Sequence, residues 1–196
     1  MTGKWVELLK TIAPEVSRVA FLFNPQATAG AGAYFIEAID TAVLIQKVKS
    51  VMALVHDEEG IESAFAALAR EPGAGVVVLP DILTASHHQL IIAKAAHYRV
   101  PTIYNYRFMV ERGGLISYGV DLDNLFERAA TYVDRILKGA EPADLPVQAP
   151  TRFELGHQPQ DCQDVGVDLT GSIDRGRRRI DRMKTGREKC RGTLKS

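Results

Sequence analysis

No stretch of about 18 or more consecutive apolar residues occurs, so no membrane-spanning helix is expected. The N-terminal MTGKWVELLKTIAPEV lacks the basic-then-apolar layout of a signal peptide, so the polypeptide as written is expected to stay cytoplasmic. Cysteine is scarce: Cys162 and Cys190 lie 28 residues apart, which fits neither a zinc site nor a disulfide framework, and they read as incidental thiols. Nucleophile elbow, Walker loop and HExxH motifs are all missing. Net charge is missing too, at +0 overall, but that balance hides an asymmetry. Residues 1–155 carry 14 Lys+Arg against 18 Asp+Glu, and residues 156–196 carry 10 against 6. The last segment also has no aromatic residue and no alanine. The shift marks a boundary at Leu155, between a domain over 1–155 and a tail over 156–196 that is expected to be disordered.

What is present is patterned for an α/β sheet. Val6, Leu9 and Ile12 share one face of a helix over Trp5–Ala13, and Pro14 stops it. Helices are also predicted over Ala31–Ile45, Ile61–Ala69, Ala85–His97 and Leu122–Leu137. Strands are predicted over Arg18–Phe23, Val48–Val55, Gly75–Leu79, Thr102–Tyr104 and Leu115–Tyr118. The continuous run GVVVL suits a parallel strand covered on both faces. Alternating strands and helices predict a doubly wound, parallel, five-stranded sheet with helices on both sides. Ligands bind such sheets outside the carboxyl ends of the strands. Those ends carry Asn24, His56-Asp57, Pro80-Asp81, Tyr104, Asn105, Tyr106 and Arg107, then Tyr118 to Asp121.

Tyr104, Tyr106 and Tyr118 offer flat apolar faces with hydroxyl handles, which suits a small amphiphilic or aromatic ligand; they suit the packed rim of a sheet equally. Arg107 has the fork for a ligand carboxylate, or stands as a surface arginine. Asp81 and Asp121 are candidate acceptors for a ligand amine or hydroxyl, and a carboxylate pair if the fold brings them together. Gly30-Ala31-Gly32 opens a helix after a strand, with Asp57 beyond the next strand. Phe35 stands where a dinucleotide fingerprint needs its third glycine, so no cofactor is expected, though a small anion suits that helix start. His87 and His88 are adjacent, so on a helix they point about 100° apart and share a metal poorly. Arg175-Gly176-Arg177-Arg178-Arg179 is basic but has no interleaved aromatic residue, so nucleic acid is not an expected partner.

Four stretches carry a family resemblance: GKWVELLKTIAPEVSRVAFLFNP, LAREPGAGVVVLPD, HYRVPTIYNYRFMVERGGLISYGVDL and RAATYVDRILKGAEPADLPVQAPTRFEL. Through them residues 3–155 resemble the C-terminal half of ABC-transporter substrate-binding proteins of the tryptophan/tyrosine type, with the type I periplasmic binding fold. The resemblance implies a non-catalytic receptor of two hinged α/β lobes that closes on a small-molecule solute and hands it to an ABC permease. It implies a periplasmic location for the parent family, no cofactor and no direct membrane insertion. It places the cleft of the second lobe at Asn24, Asp81, Tyr104 to Arg107 and Tyr118. An aromatic amino acid suits the tyrosines and Arg107. The first lobe and signal peptide of the parent family have no counterpart here, so a truncated fragment with weak binding is expected.

The chain departs from the family in three places. The turn before the second strand reads TAVLIQKVKSV, with Lys47 and Lys49 where a glycine is expected. Asn105-Tyr106 stands in place of Pro-Phe or similar. After PTRFEL the family continues as a strand and helix of the type VINLKTAKTLGLT, whereas this chain reads GHQPQDCQDVGVD. Joining the second and third bases of each codon to the first base of the next permits V-I-N-L-K-T-A-K-T-L-G-L from Gly156 through Asp168. In that frame Met183-Lys184 necessarily reads as a stop. The tail is therefore expected to be frame-shifted. Two other readings compete: a free-standing cytoplasmic ligand-binding or regulatory flavodoxin-like domain, and an α/β enzyme using Asp81 and Asp121.

Overall fold

A computed structural model of the chain describes residues 1–28 and 33–157. Helix α1 (Thr2–Ile12) precedes β1 (Arg18–Phe23), followed by α2 (Ala33–Gln46), β2 (Lys49–Leu54), α3 (Glu58–Leu68) and β3 (Ala74–Val78). Then come α4 (Ile82–Ser86), α5 (His88–Tyr98), β4 (Thr102–Tyr104), α6 (Arg107–Glu111), β5 (Ile116–Val120), α7 (Leu122–Leu137) and β6 (Phe153–His157). The strands form one sheet in the order β2-β1-β3-β4-β5-β6. The first five are parallel to their neighbours, and β6 runs antiparallel to β5. The doubly wound α/β class holds, with six strands rather than five. The proline-punctuated segment after α7 returns to the sheet, and its strand crosses Leu155 to end at His157.

Alternation along β1 builds a core on each face. Val19, Phe21 and Phe23 join Trp5, Leu9 and Ile39 beneath α1 and α2. Ala20 and Leu22 join Ile61, Phe65 and Ile91 beneath α3 and α5. Right-handed crossovers produce this division: the chain steps outward from β1 to β2, then back past β1 to β3, so α2 and α3 fall on opposite faces.

Local chemistry sets the ends. Asp57 caps α3, its Oδ1 accepting the Gly60 N–H at 2.8 Å, with Glu58 and Glu59 complementing the positive end of the helix dipole. This cap starts the helix before the expected Ile61. The single helix predicted over Ala85–His97 is two. A capping box at Asp81 starts α4 at Ile82, and the chain breaks around His87, whose Nδ1 lies 3.0 Å from the Leu83 carbonyl oxygen. Helix α6 occupies what the sequence reads as a loop; at five residues it is too short to show a period, and burial of Met109 and Val110 holds it. Lys47, standing where a glycine is expected, has φ 52°, the left-handed region that glycine adopts without steric cost. Gly30-Ala31-Gly32, Cys162, Cys190, the Arg175–Arg179 run and the tail from Gln158 onward lie outside the described residues.

Candidate ligand site at the carbonyl ends of the sheet

Because β1, β3, β4 and β5 are neighbours, the residues that follow them lie side by side at one end of the sheet. The winding reverses between β1 and β3, and a crevice opens at such a switch point. Asn24 and Asp81 flank it, and both are buried. Asp81 Oδ2 accepts the Asn24 backbone N–H at 3.0 Å, while Oδ1 accepts the Thr84 N–H at 2.7 Å. The Thr84 hydroxyl donates to the Leu79 carbonyl at 2.9 Å and lies 3.3 Å from the Asp81 N–H. Asp81 is thus a clamp between the end of β1 and the start of α4. Each carboxylate oxygen keeps a second lone pair for a ligand donor. Asn24 Oδ1 accepts the Gln26 N–H at 2.9 Å, an Asx turn that shapes the loop leaving β1.

Beyond β4, Tyr106 is half-buried and stacks on Phe108, with centroids 5.5 Å apart and planes 16° from parallel. Burial first, and the charge of Asp81 second, raise its hydroxyl above the ordinary tyrosine value. Phe108 also receives the edge of His88, at 5.3 Å, and lies under the Arg112 guanidinium, 5.4 Å from the ring centroid. Arg112 in turn contacts His88 Nε2. Sequence reasoning missed Phe108 and Arg112, because both sit in the segment read as a loop.

Asn105 is 2% exposed, and neither its Oδ1 nor its Nδ2 meets a hydrogen-bonding partner among the described residues. Its backbone carbonyl presses on Gly119 of β5: a Cβ there would lie 1.7 Å from the Asn105 oxygen, so only glycine fits. A buried amide with both polar atoms unpaired is uncommon in a folded chain.

The other candidates have protein partners. Tyr104 is 1% exposed and packs in the core beneath α3 and α5, not on the wall of a cleft. Arg107 is exposed and tied to Glu111 at 3.0 Å and Glu154 at 3.3 Å, joining α6 to β6. Tyr118 is half-buried and stacks on Phe153 at 6.0 Å, while its carbonyl accepts the Trp5 indole N–H at 2.6 Å. Burial first, and Glu7 second, raise the Tyr118 hydroxyl. Asp121 caps α7, its Oδ1 accepting the Asn124 N–H at 2.9 Å. Strand β4 separates β3 from β5, so Asp81 and Asp121 stand two strand spacings apart, roughly 10 Å. Among the described residues no group of three His, Cys, Asp or Glu side chains is placed to hold a metal. The arrangement offers a buried carboxylate, an unpaired amide and a stacked aromatic surface, which are means of holding a small amphipathic molecule.

The sequence profile of the family described as ABC transporter substrate binding protein matches residues 1–175, past Leu155. No curated protein matches the chain by sequence. Among solved structures, a conserved domain protein from Vibrio cholerae superposes with TM-score 0.78 at 25% identity, over 89% of this chain and 58% of its own. An ABC domain in complex with L-Trp from Streptococcus pneumoniae gives 0.77 at 21%, over 89% and 59%. A ligand-free, open substrate-binding protein with adhesive properties from Clostridium difficile gives 0.61 at 19%, over 86% and 57%. The chain thus spans a little under three-fifths of each of these structures.

Proposed function

Because the chain belongs to the ABC transporter substrate-binding protein family, we propose that the carbonyl end of its sheet binds a small amphipathic solute, with aromatic amino acids the first candidates. A solute-binding protein of ABC transporters recognises its ligand and delivers it to a permease; the family is typically non-catalytic and typically extracellular or periplasmic. No described helix is long and apolar enough to cross a membrane. Family membership is what favours the receptor over a free-standing regulatory domain.

Asn105 carries the assignment of the site. A buried polar group without a partner costs about 1–3 kcal/mol. A solute offering one donor and one acceptor recovers that cost on binding. The Tyr106–Phe108 stack supplies an apolar face beside it, and Asp81 supplies a carboxylate for an ammonium group. Asn24, Tyr118 and Asp121 belong to the same end of the sheet and complete the proposed wall; Tyr104 and Arg107 support it from behind. L-Trp is bound by the Streptococcus pneumoniae structure, which makes it the first ligand to try. The residues named above form one face of the proposed site, and an affinity of about 1 mM is expected of that face alone.

Thermal unfolding with and without L-tryptophan tests the reading. With a dissociation constant of about 1 mM, about 10 mM ligand stabilises by about 1.4 kcal/mol. That corresponds to a rise in Tm of about 3–5 °C. Asn105→Leu should raise the Tm of the free chain, since it removes two unpaired polar atoms, and should abolish the ligand-induced rise. A variant that keeps the rise removes Asn105 from the site. No rise with any aromatic amino acid defeats the proposed ligand class.

A further inference from the structure

Strand β2 forms the edge of the sheet farthest from β6, and among the described residues only β1 pairs with it. No residue of β2 is buried, whereas every residue of β3 is. The Lys49 N–H donates to the Ser17 carbonyl at 2.9 Å, and the Val55 N–H to the Phe23 carbonyl at 3.0 Å. Bonds in a parallel ladder recur at every second residue, so Lys49, Val51, Ala53 and Val55 face β1. Ser50, Met52 and Leu54 therefore direct their N–H and C=O groups away from the sheet. Such a row is a template for another strand.

The chemistry of this edge selects its partner. Exposed Lys47 and Lys49 stand at its start, and exposed Asp57, Glu58 and Glu59 follow its end. A second copy laid parallel would bring lysine against lysine and carboxylate against carboxylate. Laid antiparallel, each copy sets its lysines against the carboxylates of the other. Hydrogen bonding then fixes the register, because residues opposite one another in an antiparallel pair exchange bonds only where both have free groups. Setting Met52 opposite Met52 puts Ser50 opposite Leu54 and uses all three outward residues. Along the continuing chain, Lys47 then stands opposite Asp57 of the second copy, with Lys49 diagonal to it. One face of the edge is also apolar. Met52 packs towards the core beneath α1 and α2. Leu54 shares that face by alternation and is 52% exposed. Helix α2, which covers the same face, ends in Leu44 and Ile45, 78% and 70% exposed.

We propose that the β2 edge is an interface between two copies of this chain, which pair antiparallel about Met52 and join their sheets through a twofold axis. Twofold closure uses the edge of each copy once, so association stops at a dimer. A single strand edge belongs with the small interfaces, under about 1,200 Å², so the dimer is weak, with a Kd of about 10–100 µM. Solute plays no part in it.

Sedimentation equilibrium of the full chain tests the proposal. Between about 5 and about 500 µM the mass should rise from 21.5 kDa towards twice that value and no further. Over the same range, hydrogen exchange at Ser50, Met52 and Leu54 should slow by about threefold or more, while Val51 and Ala53 stay unchanged. Leu54→Pro removes an outward N–H and an exposed side chain but no bond to β1, so it should abolish association. Unchanged slow exchange in β1 and β3 shows that this variant folds. Lys49→Glu keeps the backbone intact and should weaken association by about tenfold, since twofold symmetry counts the change twice. Four outcomes overturn the proposal: a monomer throughout the range; a mass that passes the dimer; association that leaves the Ser50, Met52 and Leu54 amides unchanged, as contact through α7 would; or association that either variant leaves undiminished.

Discussion

Replacing Asp81 separates a clamp from a ligand-only carboxylate. Asp81→Ala leaves two backbone N–H groups, those of Asn24 and Thr84, without their acceptor. Both bonds are buried, and both end on a charged oxygen. An orphaned buried donor costs about 1–3 kcal/mol, and loss of a helix N-cap about 1 kcal/mol on its own. The Thr84 bond is itself the cap, so the two costs overlap and the total comes to about 3–5 kcal/mol. That is a large part of the 5–15 kcal/mol typical of a domain. Asp81→Asn keeps one acceptor oxygen and should cost about 2 kcal/mol. Urea unfolding followed by Trp5, the single tryptophan and 1% exposed, reads the difference. With a slope of about 2 kcal/mol/M, the alanine midpoint should fall by about 1.5–2.5 M at unchanged slope. A purely ligand-binding carboxylate predicts the reverse, since removing a buried charge with no structural partner stabilises the free chain. A midpoint within about 0.5 M of the parent, or raised, refutes the clamp.

Lys47→Gly should stabilise the chain by up to about 1 kcal/mol in the same assay, because φ 52° costs a lysine about 1–2 kcal/mol and glycine gives part of that back as backbone entropy; a destabilised variant contradicts this. Tyr106 and Tyr118 both have raised hydroxyl pKa values, so below about pH 10 their contribution is fully present, and above it the unfolded state ionises first and stability falls as pH rises through the folded-state values. Measured between about pH 9 and pH 11, the parent should lose more stability than Tyr106→Phe or Tyr118→Phe, and equal slopes would count against the burial of both hydroxyls. The proposed frame change is settled by sequencing the locus at Gly156: a coding strand whose shifted frame lacks the V-I-N-L-K reading ends the idea. The profile match to residue 175 and the strand running to His157 place family-like signal and sheet pairing beyond Leu155, so the frame is best examined over the whole of 156–175.

Much of the fold was legible because it is local. Strand β1 and helix α7 have the predicted ends, since a five-residue apolar run after a charged Arg18 and a 16-residue amphipathic period each carry their own boundaries. The α/β alternation then made the carbonyl ends the place to look. Errors fell where the deciding interaction was short or remote. Helix α6 is shorter than two turns, and β6 follows a strap of prolines with no strand period. The break at His87 depends on a capping box that only a folded Asp81–Thr84 geometry reveals.

The sequence by itself determined the alternation of most strands and helices, and hence that Asn24, Asp81, Asn105, Tyr106 and Asp121 follow strand ends; Tyr118, read as the end of a strand, lies inside β5. Strand order, and with it every relation between those ends, belonged to the tertiary structure. The Asn24–Asp81 bond spans 57 residues of chain, and no local period encodes it. Whether a tyrosine after a strand lines a cleft or fills a core depends on what covers that face. Helix α5 and the Gly114 turn bury Tyr104, whereas Tyr106 emerges beside Phe108. Helix α7, with Leu122, Leu125, Phe126, Ala129, Val133 and Ile136 at helical spacing, is the converse case. Its periodicity announces a buried face, and only the folded chain shows that nothing among the described residues buries it.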